Sequence, residues 1–249
     1  MKSKIIVYKD EGVGPLSYRA LFKSLKKSLC LDSFEIKTLD AKGVIEGSWK
    51  EDCALFILPG GQDVPYHKAL KGKGNKHLRA YVENGGQFLG ICAGAYYASG
   101  EVIFEEGFKS EICQKRELQF FPGSAFGPLY NLKPYSYEGH VSAHAAPILF
   151  EGVRLHTYYN GGCTFRGVQD SDFIETIATY QDSYAKSPAI IECRVGKGTA
   201  ILSGVHLEME AKFCINESRL YEKLVKSDAQ RAKLFERILK RLLVLDSIG

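Results

Sequence analysis

The chain has 249 residues, 45% of them hydrophobic and 25% charged, with 33 basic against 29 acidic side chains and a formal charge of +4. That balance describes an ordinary globular protein, long for one domain but within the range of a single α/β unit. It excludes a disordered chain, and it lacks the basic bias with interleaved aromatics that marks a nucleic-acid groove.

Lys4 to Tyr8 is a short β-branched run, closed by the turn-rich Asp10-Glu11-Gly12-Val13-Gly14-Pro15. Leu16, Ala20, Leu21, Leu25 and Leu29 then recur at helical spacing. Phe34 to Leu39 alternates as a strand. Cys53 to Leu58 is a continuous apolar run, the pattern of a strand buried on both faces of a parallel sheet. The basic stretch Lys68 to Lys76, broken by Gly and Asn, reads as a solvated loop. His77 to Glu83 reads as a helix stopped by Asn84-Gly85-Gly86. Phe88 to Ile91 is another buried strand and Ala93 to Ser99 another helix. This β-α-β-α rhythm predicts an α/β three-layer sandwich with a mostly parallel central sheet.

From Glu101 to Gly167 the pattern loosens into short β-like runs among Gly, Pro and Tyr. Strand signals return at Phe173 to Thr179, Ala189 to Val195 and Thr199 to Leu202, with Gly196-Lys197-Gly198 predicting a hairpin turn between the last two. Leu234, Ile238, Leu242 and Leu245 then line one face of a closing amphipathic helix. With no repeat and no linker, the chain reads as one domain over 1–249.

The seven cysteines are odd in number and scattered, with no Cys-x-x-Cys pair and no Cys/His ligand spacing. Neither a disulfide framework nor a structural zinc is expected, nor any cofactor. Cys53 and Cys193 sit in apolar runs and read as small buried hydrophobes. The apolar run after Met1 is too short for a signal peptide, and no segment approaches the roughly 20 apolar residues that span a bilayer. A reducing cytoplasm, with no membrane partner, is the simplest expectation.

One cysteine stands apart. Gly90-Ile91-Cys92-Ala93-Gly94 lies between a buried strand and a helix, where a sharp turn holds a nucleophile in a strained conformation and small neighbours let the turn close. Helix N–H groups pointing at the sulfur favour the thiolate, the form that attacks. The competing reading is a tight turn carrying an incidental cysteine. A nucleophile needs a base and the base an orienting group. His206 follows a strand and the small pair Ser203-Gly204, and Glu208 comes at i+2, on the same face of an extended segment. Pro59-Gly60-Gly61 ends another buried strand at the same sheet edge, where bare N–H groups of Gly60 or Gly61, with that of Ala93, can meet an oxyanion. His140 and His144 sit four apart without an acidic ligand motif and are read as non-metal.

Leu58-Pro59-Gly60-Gly61, Gly90-Ile91-Cys92-Ala93-Gly94 and His206-Leu207-Glu208 resemble the three motifs of class I glutamine amidotransferases. A closer resemblance, to the N-terminal domain of eukaryotic-type biotin–protein ligases and its free-standing bacterial relatives, runs through Gln62-Asp63-Val64-Pro65-Tyr66, Gly72-Lys73-Gly74-Asn75, Ala95-Tyr96-Tyr97, Arg116-Glu117-Leu118, Phe121-Pro122-Gly123 and Tyr159-Asn160-Gly161-Gly162. It implies the flavodoxin-like class I amidotransferase fold, with Cys92 as nucleophile, His206 as base and Glu208 as orienter. It also implies Asp63, Tyr96, Tyr97, Tyr159 and Asn160 as pocket candidates. Two positions depart from the amidotransferase pattern. Tyr96 stands where glutaminases carry a substrate-contacting glutamine, and Leu207 where a proline is usual. No Gly-Arg-Gly-Arg-type biotin-adenylate motif is present. The resemblance thus leaves two functions open. One is a cysteine hydrolase acting on a small-molecule amide; the other is a non-catalytic module that binds a ligand or a biotin–protein ligase or synthetase partner.

Overall fold

Strand β1 (Lys4–Tyr8) is apolar on both sides: Ile5 and Val7 enter one hydrophobic core, Ile6 and Tyr8 another. Such a strand belongs in the middle layer of an α/β structure. A computed structural model, which describes residues 2–29, 33–130, 135–136, 139–168, 172–182, 184 and 186–243, places it there. After β1 come α1 (Pro15–Ser28), β2 (Glu35–Leu39), α2 (Ala41–Glu46), β3 (Cys53–Leu58), α3 (Asp63–Leu70), α4 (Lys73–Glu83), β4 (Gln87–Ile91) and α5 (Ala93–Ala98). Strands β5 (Ser99–Phe104), β6 (Ile112–Lys115), β7 (Phe121–Gly127), β8 (Ala143–Phe150), β9 (Val153–Asn160) and β10 (Thr164–Arg166) occupy the loosely patterned middle. The chain continues through β11 (Ile174–Tyr180), β12 (Pro188–Val195), β13 (Gly198–Ser203), α6 (Ser218–Val225) and α7 (Asp228–Leu243).

Nine strands make one sheet in the order β2-β1-β3-β4-β13-β12-β11-β8-β9. Neighbours from β2 to β13 are parallel. Beyond β13 every pairing is antiparallel. The expected α/β sandwich is therefore present, parallel in the half where the β-α-β rhythm was read. The other half is extended by hairpins, among them the predicted one at Gly196-Lys197. One face is covered by α1 and α7, whose Leu21, Leu25, Leu234 and Ile238 pack with Val7 and Leu89. The other is covered by α3, α4 and α5, where Tyr66, Leu70, Leu78 and Tyr97 pack with Ile6 and Phe88. A second sheet, β10-β7-β5-β6, extends that core through Val102, Phe121 and Phe165.

Two readings need correction. Lys68 to Lys76 is not a loop: α3 and α4 run through it, meeting at a turn with Gly72 at φ +79°. The burial of Leu70 and Leu78 outweighs the lysine-rich composition, and the Glu117 carboxylate accepts hydrogen bonds from the Gly72 N–H and the Asn75 side chain, each at 2.7 Å. The helix expected over Ala93 to Ser99 stops at Ala98, and Ser99 opens β5 instead. Leu245, read as part of the closing helix, lies outside the described residues.

Candidate functional site

The carboxyl ends of β3, β4 and β13 lie side by side in the parallel half, the edge where open α/β sheets bind ligands. Cys92 joins β4 to α5 with φ 51° and ψ −106°, a conformation disfavoured for a residue with a Cβ and costing of order 1–3 kcal/mol. Its N–H donates to the Ser203 carbonyl at 2.8 Å, tying the turn to β13. Close packing supplies the rest of the constraint. A Cβ on Gly94 would stand 2.1 Å from the Leu58 carbonyl oxygen, so only glycine lets α5 approach β3 here.

His206 follows β13, and its N–H donates to the Tyr158 carbonyl at 2.8 Å. The ring's Nδ1 meets Glu208 Oε1 at 2.8 Å. The Cys92 side chain is within hydrogen-bonding reach of the ring. All three residues are buried, Glu208 completely. Burial alone would lower the His206 pKa. The charges of Glu208 and Cys92, with the hydrogen bonds both make to the ring, outweigh it and raise the imidazole from 6.5 to about 10. The Cys92 thiol also has the Asn160 carbonyl oxygen at 3.6 Å. Only with its proton on the imidazole is the sulfur a nucleophile.

Glu208 is held by residues without a signal in the sequence. The Ser17 hydroxyl of α1 donates to Glu208 Oε1 at 2.8 Å, and the Ser24 hydroxyl donates to the Glu208 backbone carbonyl at 2.8 Å. Arg231 of α7 donates to the Leu207 carbonyl at 2.5 Å. Glu208 Oε2 is buried without a hydrogen-bond partner among the described residues.

The glycine loop after β3 lies against the imidazole: a Cβ on Gly60 would come within 2.5 Å of His206 Cε1. The Gly60 N–H donates to Ser17 Oγ at 3.1 Å, so it is not the open oxyanion donor that was expected. Gly61 and Ala93 keep that possibility. Gly61, at φ +151°, is pinned by the flanking bonds from Gly14 N–H to the Gly60 carbonyl (2.9 Å) and from Gln62 N–H to the Gly12 carbonyl (2.8 Å).

Two spaces meet at the sulfur. A cleft of about 520 Å³ is lined by Cys92, His206, Tyr158, Asn160, Arg19 and the Gly12-to-Ser17 entry of α1. A recess of about 20 Å³ is lined by Cys92, Ala93, Gly61, Asp63, Tyr96 and Phe104. Tyr96 fills most of the ground on that side. Its hydroxyl donates to the Gly162 carbonyl at 2.8 Å, and its ring packs edge-on against Phe104 at 5.8 Å. Asp63 borders the recess, but its Oδ2 is bound by Arg116 Nη2 at 2.6 Å and Nε at 2.9 Å. Burial raises the Asp63 pKa against the opposing pull of Arg116.

Of the other pocket candidates, Asn160 lines both spaces, while Tyr97 and Tyr159 line neither. Tyr97 is wholly buried under α3, its hydroxyl on Asn75 Oδ1 at 2.5 Å. Tyr159 is wholly buried too, donating to the Gly162 carbonyl at 2.6 Å. These tyrosines are core, because successive residues of a strand or short helix point to different sides. Tyr158 is the cleft residue of the Tyr-Tyr pair. Its ring stands edge-on to His206 at 5.5 Å and its hydroxyl meets His140 Nδ1 at 2.9 Å. His144 instead stacks on Tyr130 at 4.2 Å. Among the described residues no three His, Cys, Asp or Glu side chains converge as a metal site would require, and no helix is long and apolar enough to cross a membrane.

The fold is one that a solved glutamine amidotransferase also has. A glutamine amidotransferase from Thermotoga maritima superimposes with a TM-score of 0.60 at 13% identity, over 98% of this chain and 99% of that one. The chain belongs to the biotin-protein ligase N-terminal family, whose model matches residues 3–247. It is 35% identical over 247 residues to an uncharacterized protein of Chlamydia muridarum, covering 96% of this chain and 95% of the relative. It is also 31% identical over 215 residues to a biotin–protein ligase of Schizosaccharomyces pombe, covering 84% of this chain but only 34% of that ligase.

Proposed function

We propose that this chain is a cysteine-nucleophile hydrolase acting on a small-molecule amide, with Cys92, His206 and Glu208 as its triad. One observation carries the reading. A strained, cleft-facing cysteine shares a buried imidazole with a buried carboxylate that Ser17 holds in place. His206 takes the Cys92 proton, and Glu208 fixes the ring's tautomer and stabilises the imidazolium. The thiolate adds to the substrate carbonyl, and the N–H groups of Gly61 and Ala93 receive the oxyanion. Collapse expels the amine with the proton from His206, leaving a thioester. Water, deprotonated by the same imidazole, then releases the acid and restores the thiol.

The test is pre-steady-state release of p-nitrophenol from p-nitrophenyl acetate. The proposal expects a burst matched to the enzyme concentration and its loss in Cys92→Ala. A burst retained by Cys92→Ala would refute it.

A second reading is supported by the identity to part of a biotin–protein ligase. It makes the chain a binding partner of such a ligase, in the cytoplasm and as one domain over 1–249. Pulldown of a biotin–protein ligase equally by wild type and Cys92→Ala would favour it.

A further inference from the structure

The two edges of the nine-stranded sheet, β2 and β9, differ. β9 is capped: the His156 N–H donates to Ser227 Oγ at 3.0 Å, and the Tyr158 carbonyl accepts from the His206 N–H at 2.8 Å. β2 is open. The Glu35 N–H donates to the Ser3 carbonyl and the Leu39 carbonyl accepts from the Lys9 N–H, each at 2.9 Å, so Glu35, Lys37 and Leu39 turn their backbone groups toward β1. Successive residues of a strand turn these groups to opposite sides. Those of Ile36 and Thr38 therefore point off the sheet, without a partner among the described residues. We infer that a second copy of this chain pairs with that edge, antiparallel, about a two-fold axis at Ile36.

Lysine on an open edge usually blocks pairing with a foreign strand. Lys37 is such a residue, exposed and 3.1 Å from the exposed Glu35. Their alternation makes the block selective. With Ile36 opposite Ile36 of the second copy, position 35 of each chain faces position 37 of the other. The axis then matches Glu35 with Lys37 twice, and opposite charges across strands attract. Moving the axis by one residue sets Lys37 against Lys37, or Glu35 against Glu35, and like charges directly opposite repel. The charges therefore choose the partner and the register together. Apolar surface favours the same register. Ile36 is aligned with Ile5 and is a partly buried flank of the core under α1 and α7. Pairing brings two such side chains together and covers what the edge leaves open. The inference is independent of the chemistry at Cys92.

The experiment is sedimentation equilibrium of the full chain at concentrations up to about 100 µM. Wild type shifts from the mass of one chain to that of two as concentration rises. Lys37→Glu sets glutamate against glutamate at both pairs and raises the dimer dissociation constant by about tenfold or more. The swap of Glu35→Lys with Lys37→Glu restores both pairs and returns the constant to near that of wild type. Both positions are exposed, and an unchanged circular dichroism spectrum shows that each variant is folded. A wild type that stays a single chain throughout would overturn the inference. So would a dimer equally tight in Lys37→Glu, or a swap as weak as the single variant.

Discussion

Ser17 and His206 hydrogen-bond the same oxygen of Glu208, Oε1, each across 2.8 Å. The carboxylate is thereby oriented by α1 before it orients the imidazole. Glu208→Gln keeps the shape but removes the charge and allows the wrong tautomer, so turnover of p-nitrophenyl acetate should fall by about 10³-fold or more. Ser17→Ala deletes one hydrogen bond of about 1 kcal/mol and should cost roughly fivefold. If Glu208→Gln turned over like wild type, the carboxylate would have no part in the chemistry.

Among the described cysteines, only Cys92 combines access from the cleft with a neighbouring imidazole. Burial pushes the thiols of Cys53, Cys193 and Cys214 up to about 12 and also raises that of Cys163 well above its ordinary value. Cys113 is exposed on β6 without such a neighbour. Brief iodoacetamide treatment of the native protein, read by peptide mass mapping, should modify Cys92 first, Cys113 second and these four not at all. Cys30 lies outside the described residues.

The imidazole of His206 contributes to stability with a definite sign. Its pKa is about 10 in the folded chain against 6.5 as the ordinary value, so the folded state binds the proton more tightly. The contribution is complete below pH 6.5 and disappears as pH rises toward 10. The melting temperature of wild type should therefore drop more steeply than that of His206→Gln across that window. Parallel curves would show that the ring is not charged in the resting protein.

Arg116 is fully buried on Asp63. Arg116→Leu strands the carboxyl beside the recess and should cost about 3–5 kcal/mol, measured by chemical denaturation. The double substitution Asp63→Leu with Arg116→Met should recover most of that loss, because an apolar pair of similar volume avoids the desolvation of two charges.

What could be seen in the sequence was local. The runs of β1, β3 and β4 announced a buried parallel sheet because both faces of each strand are apolar. The Gly-flanked Cys92 announced an elbow because helix and strand must touch there. His206 and Glu208 do meet at 2.8 Å, but on a turn after β13 and not on the extended segment that the i, i+2 spacing suggested. Ser17, Ser24 and Arg231 could not be found this way, since the two serines reach Glu208 from 191 and 184 residues away, Arg231 reaches Leu207 from a separate helix, and serine or arginine on a helix carries no pattern. The same limit applied at Gly60, whose N–H is taken by Ser17. It applied again at Tyr97 and Tyr159, whose side of the backbone is decided by packing. The lysines of α3 and α4 misled because charge was read where the spacing of Tyr66, Leu70 and Leu78 decides.

If His206 activates Cys92, the rate of iodoacetamide alkylation at Cys92 depends on the imidazole. In a Cys113→Ser background at neutral pH, His206→Ala should slow that alkylation by about tenfold or more, because the sulfur loses the group that accepts its proton. Equal rates in the two proteins, or a Cys92 that stays unmodified in both, would mean that His206 does not activate Cys92.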